Sequence, residues 1–96
     1  MRVLPDPLEF QWDKGNIKKN LEKHGFKHTE IEEVFFNKQK KILKDKLHSK
    51  NENRYILLGK TRKAKVLFVV FTVRNKKARV ISARRLNKKE MKLYEK

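Results

Sequence analysis

Eight consecutive residues, Val66 to Val73 (VLFVVFTV), carry no charge and only one hydroxyl. Such a run is apolar on both faces of an extended chain, which places it centrally in a sheet. Polar segments bound it. Thr61 to Lys65 is a tight connection of the kind a hairpin needs, and Asn75 with its neighbouring lysines makes the next turn. Arg54 to Lys60 (RYILLGK) is a strand by composition, Ala78 to Arg85 is the last strand, and Ile42 to Asp45 is a short one. Leu47 to Asn53 between them is polar and turn-like. Connections this short make neighbouring strands antiparallel, so the second half of the chain is a meander of three to four strands.

The flanks are helical. Leu8 to Trp12 alternates as a short strand or extended arm, and Asp13 then stands as a helix N-cap. Ile17, Leu21 and His24 fall on one face, and Gly25 is placed to stop that helix. Thr29-Glu30-Ile31-Glu32 has a capping-box pattern, Ile31, Val34 and Phe35 supply a buried stripe, and Asn37 ends the element. Asn87 with Glu90 three residues on caps a C-terminal helix. The reading is α+β: two N-terminal helices, the antiparallel sheet and a last helix, each helix burying a face on the sheet. Phe35, Phe68 and Phe71 are expected in the core, as are Phe10 and Trp12, although the last two have the chemistry to stack on bases.

At 96 residues, one domain spanning 1–96 is expected. Cysteine is absent, which removes thiolate chemistry and Cys-ligated zinc. Neither a signal peptide nor a membrane span is apparent, so a cytoplasmic location is expected. Lys and Arg total 27 against 11 Asp and Glu, a formal charge of +16. That excess repels itself and calls for a negative partner, nucleic acid first and an acidic protein second.

Several segments resemble one family. FQWDKGNIKKNLEKHGF, EIEEVFFN, RYILLGKT, VLFVVFTVR and VISARRLNKKEMKLYE are similar to the BrnT toxins of BrnT–BrnA toxin–antitoxin systems. The Trp12-Asp13 pair, Asn20, Lys23-His24-Gly25, and ISARR followed by Glu90 and Tyr94 carry the resemblance. It implies a RelE-like fold, a growth-arresting ribonuclease activity and a small BrnA-like antitoxin with a ribbon-helix-helix part. DNA contact would come only through that antitoxin. Where many relatives have lysine four residues after the Trp, this chain has Asn16.

RNA is cleaved without metal when its 2′-hydroxyl attacks the adjacent phosphorus. The protein then supplies a base, positive charge for the phosphorane and an acid for the leaving oxygen. With that chemistry implied, the candidate catalytic residues are Arg84, Arg85, His24, Tyr94 and Glu90. The two arginines alternate in direction on a strand, so one is expected on the RNA and the other on the last helix or an acidic partner; Arg84 is the preferred RNA contact. Tyr94 lies one helical turn from Glu90 and has the chemistry to meet a phosphate or a base, or simply to cover the sheet edge. Glu90 is a capping residue first and a base second. His24 is either a proton shuttle or a partly buried helix residue. Lys23, Arg54, Lys60, Arg62, Arg74, Lys88 and Lys89 are expected along the RNA backbone. No metal or cofactor is expected, since His24 and His28 have no third ligand, and His48 is assigned no role. The rival reading is a basic nucleic-acid-binding or partner-binding module without catalysis, because no triad or carboxylate pair appears.

Overall fold

The computed structural model describes residues 3–96. A two-residue strand β1 (Phe10–Gln11) leads into α1 (Lys14–His24) and α2 (His28–Phe35). Strands β2 (Lys41–Lys44), β3 (Arg54–Lys60), β4 (Val66–Arg74) and β5 (Lys77–Arg85) follow, with a 3₁₀ turn at Lys46–His48 after β2, and α3 (Lys88–Glu95) closes the chain. The sheet order is β1-β5-β4-β3-β2, so β4 is the middle strand, as its apolar run requires. The fold is the expected α+β, RelE-like arrangement, with the antiparallel meander complete from β2 to β5. A fifth strand is added by β1, which pairs in parallel with β5 through Phe10 and Ala78.

Local chemistry explains the element ends. The Asp13 side chain accepts from the Asn16 amide, and Gly25 ends α1 at φ 72°, where a Cβ is disfavoured. The turn between β4 and β5 places Asn75 and Lys76 at φ 50° and 62°, the left-handed pair that suits a two-residue hairpin. Helix α2 begins at His28, earlier than the Thr29 capping pattern suggests. Glu30 rather than Glu32 reaches back, accepting from the Lys27 amide at 3.1 Å.

The core lies on one side of the sheet. Ile31, Val34 and Phe35 of α2 pack with Phe26 and with Leu57, Leu67, Val69, Phe71, Ala78, Val80 and Ala83. Ring contacts run from Phe10 through Phe35 to Phe71, with centroids 5.0 and 5.2 Å apart. Phe10 and Trp12 pack against this core, and Trp12 Nε1 donates to Glu32 at 2.8 Å. Gly59 lets α2 approach closely: a Cβ there would stand 2.8 Å from the Val34 carbonyl oxygen.

Two expectations about the core change. In α1 the inward face is not Ile17–Leu21–His24; Leu21 is 46% exposed, His24 is exposed, and the buried residue is Asn20. The seam is polar. Asn16 donates its amide to the Val80 carbonyl, and Asn20 donates to the Asn16 carbonyl at 3.0 Å. Asn16 therefore ties helix to strand through its side-chain amide. Phe68 is the second change. It lies between the core residues Leu67 and Val69, so it points to the other side of the sheet, where it is only half-buried.

The open face of the sheet and its arginines

Strand register organises the side of the sheet away from the core into three cross-strand rows. One row runs Lys41–Leu58–Phe68–Arg84. The next runs Leu43–Ile56–Val70–Ser82, and the third runs Arg54–Thr72–Arg79. An irregularity between Val70 and Phe71 sets this pattern on β5, because Val70 pairs with Ser82 and Phe71 with Val80, leaving Ile81 as an extra residue. A bulge of this kind reverses the alternation of the strand. Ala78 and Val80 face the core before it and Ala83 after it, so Arg84 emerges on the open face and Arg85 on the helix side.

Helix α3 lies across the first row and is bonded at both ends of it. Lys41 Nζ donates to the Leu93 carbonyl at 3.1 Å. Arg84 donates from Nη1 and Nη2 to the two Glu90 oxygens, at 2.7 Å each. The guanidinium also sits 4.2 Å from the Phe68 ring centre, a cation–π contact that stiffens it further. Arg84 Nη1 reaches the Arg85 carbonyl as well, at 3.1 Å. Hydrogen bonding from Arg84 holds the Glu90 carboxyl below its ordinary range, and the same bonds raise Arg84. Glu90 also caps α3, accepting from the Asn87 amide at 3.0 Å. A third tie is Tyr94, whose hydroxyl donates to Asn37 Oδ1 at 3.3 Å.

The structure thus separates the sequence candidates. Arg84, Glu90 and Tyr94 converge at α3, and the geometry gives Arg84 the task of tying the helix while Arg85 stays exposed. Lys23 and His24 sit exposed in the last turn of α1, and no hydrogen bond or ion pair joins them to Arg84, Glu90 or Tyr94. Lys88 and Lys89 occupy the exposed first turn of α3, and Lys60 and Arg62 flank the β3–β4 turn. Arg62 donates its backbone amide to Glu33 at 3.0 Å.

Arg54 and Arg74 belong to a second basic cluster at the far end of the open face. Arg74 Nε and Nη2 donate to the two Glu52 oxygens at 2.8 Å each. This bond lowers Glu52 and raises Arg74. Arg79 Nη2 donates to Asp13 at 2.9 Å, beside Asn16 and Lys19. Sequence reasoning missed Arg79 and Lys19 here, because only the sheet brings the start of α1 next to β5. Asp45 and His48 were missed too, although their three-residue spacing is a visible signal; His48 Nδ1 lies 3.0 Å from Asp45. Among the described residues no three carboxylate or imidazole side chains converge as metal ligands, and no helix is long and apolar enough to cross a membrane.

A small α+β fold thus carries a half-open sheet face bounded by arginines. The family comparison makes the class particular. Residues 12–90 match the model described as ribonuclease toxin, BrnT, of type II toxin–antitoxin system, and the chain belongs to that family. No curated protein matches it.

Proposed function

We propose that the protein is a metal-independent endoribonuclease whose RNA lies across the open face of the sheet. The carrying observation is the aliphatic row Leu43–Ile56–Val70, bordered by Arg84 on one side and by Arg54 and Arg79 on the other. Base faces shed water against aliphatic side chains while phosphates meet guanidinium groups, so this layout suits a single strand. Leu43 is 40% exposed, so the row is accessible.

Arg84 uses three of its five N–H donors within the protein, leaving Nε and one Nη2 hydrogen for a phosphate. Glu90, held ionised by Arg84, positions that guanidinium and is a poor proton acceptor. Tyr94 holds α3 in place through Asn37. Lys60, Arg62, Lys88, Lys89 and Arg85 extend the cationic rim beyond the open face. Lys23 and His24 lie outside this track and serve a second contact with RNA or with the partner.

The partner is an antitoxin of opposite charge, BrnA-like, with a ribbon-helix-helix part that contacts DNA. A formal charge of +16 favours an acidic segment, and salt slows its association. The protein acts on RNA in the cytoplasm and arrests growth. Inducible expression with and without the adjacent gene tests this. Growth arrest with fragmented total RNA, reversed by the neighbour, is expected. Normal growth with intact RNA contradicts it, and salt-dependent binding to intact RNA marks a binding module instead.

A further inference from the structure

In the ribonuclease reading Glu90 is engaged by Arg84, and His24 has no partner among the described residues that orients its ring. Resting on that reading, we infer that His48, oriented by Asp45, takes the 2′-hydroxyl proton of an RNA whose scissile phosphate is held by Arg54.

The geometry is that of an oriented imidazole. His48 Nδ1 lies 3.1 and 3.0 Å from the two Asp45 oxygens. An Nδ1–H donated to that carboxylate leaves the lone pair on Nε2, on the far side of the ring. Asp45 is largely enclosed at 13% side-chain exposure, whereas His48 is 66% exposed, so the carboxylate is fixed and the outer nitrogen is reachable. The turn is stapled to β3. The Asp45 amide donates to the Arg54 carbonyl at 2.9 Å, the Ser49 hydroxyl donates to the Asp45 carbonyl, and the Arg54 amide donates to Ser49 Oγ at 3.0 Å. These bonds fix the turn that carries His48 against the strand that carries Arg54, even though the imidazole is wet.

His48 lines a groove of about 480 Å³ with Lys50, Glu52, Arg54 and Arg74, a volume suited to a nucleotide-sized group. Charge within it is divided. Glu52 is engaged by Arg74 through two hydrogen bonds and also feels the Arg54 charge, while the Arg54 side chain itself makes no hydrogen bond or ion pair among the described residues. Arg54 is thus the guanidinium left for the phosphate, with Lys50 beside it. Arg54 also begins the third row of the open face, so the groove and that face share a residue.

The step balances without a metal or cofactor. His48 Nε2 takes the 2′-hydroxyl proton, the 2′-oxygen bonds to phosphorus, and the phosphorus–5′-oxygen bond breaks. The leaving oxygen takes a proton from solvent water, and the imidazolium returns its own to solvent. The products are a 2′,3′-cyclic phosphate and a 5′-hydroxyl end. Arg54 stabilises the dianionic phosphorane. Asp45 is a positioning residue.

Three full-length proteins decide the matter: wild type, His48→Asn, which keeps a donor toward Asp45, and Asp45→Asn. Each is assayed for single-turnover RNA cleavage in EDTA across pH, and for binding of the same oligonucleotide with 2′-deoxy sugars, which cannot react. His48→Asn is expected to bind within twofold of wild type and to cleave at least ~100-fold more slowly. Asp45→Asn is expected to bind within twofold of wild type and to retain an intermediate cleavage rate, a loss confined to the chemical step. Cleavage by His48→Asn within threefold of wild type overturns the assignment while leaving the ribonuclease reading intact. A wild-type protein that cleaves nothing overturns the reading itself and this assignment with it.

Discussion

Arg84 and Glu90 meet through two parallel hydrogen bonds of 2.7 Å, and this pair fastens the last helix to the open face of the sheet. Because Glu90 is simultaneously the capping-box partner of the N-cap Asn87, one carboxylate helps fix both where the helix starts and where it lies. The pair is partly exposed, with 41% of the Arg84 side chain accessible, so solvent screening reduces its worth.

Replacing Glu90 with Gln is expected to lower stability by about 1 kcal/mol at neutral pH, after that screening is allowed for. Glu90 is depressed in the folded state, so its contribution is present above its unfolded pKa and is lost as pH falls through the folded one. Arg84 is raised and stays charged throughout the acid range. The gap in thermal midpoint between wild type and the variant should therefore be open at neutral pH and close as pH drops below the ordinary Glu value of 4.5. A gap that persists unchanged into acid contradicts the pairing.

Asn16 replaces a lysine that the resemblance leads one to expect, and its amide is spent on the Val80 carbonyl. Asn16→Ala should cost about 1–2 kcal/mol in urea denaturation, from a lost hydrogen bond and an orphaned carbonyl. Unchanged stability would show that the α1–β5 seam does not depend on it.

Gly59→Ala is expected to destabilise by about 1–3 kcal/mol, since the new methyl meets the Val34 carbonyl oxygen at 2.8 Å and α2 must move. The urea midpoint measures this, and an unaltered midpoint would mean that α2 yields freely.

Binding of a non-cleavable single-stranded RNA should weaken with salt, and Arg54→Ala should reduce the slope of log affinity against log salt by about 0.7. Lys18→Ala, on the exposed side of α1 next to Glu22, should leave that slope unchanged. Equal effects from both substitutions would mean that charge acts without a defined track.

Much of this fold was legible because its signals are local. β3 was readable with its observed bounds, as were the Asp13 cap, the Gly25 stop, the Asn87–Glu90 cap and the Ile31–Val34–Phe35 stripe. What escaped depends on contacts distant in sequence. The pairing of Phe10 with Ala78 has no local signature. The extra residue at Ile81 reverses the alternation of β5, and only that reversal decides that Arg84 rather than Arg85 faces the open side. Leu21 looked like a core residue because α1 was expected to bury apolar groups, whereas its seam is made by Asn16 and Asn20. For the site, residue types were readable and grouping was not. Asp13 with Arg79 and Glu52 with Arg74 form pairs only once the sheet is built.

RNA binding on the arginine-bordered open face for metal-free cleavage is tested most directly by incubating purified protein with a defined single-stranded RNA in EDTA and analysing the end groups. Fragments with 5′-hydroxyl and cyclic-phosphate ends are expected from wild type, strongly reduced when Arg54 and Arg84 are both alanine in a protein that still folds. Intact RNA, or equal cleavage by the doubly substituted protein, would contradict that role of the face.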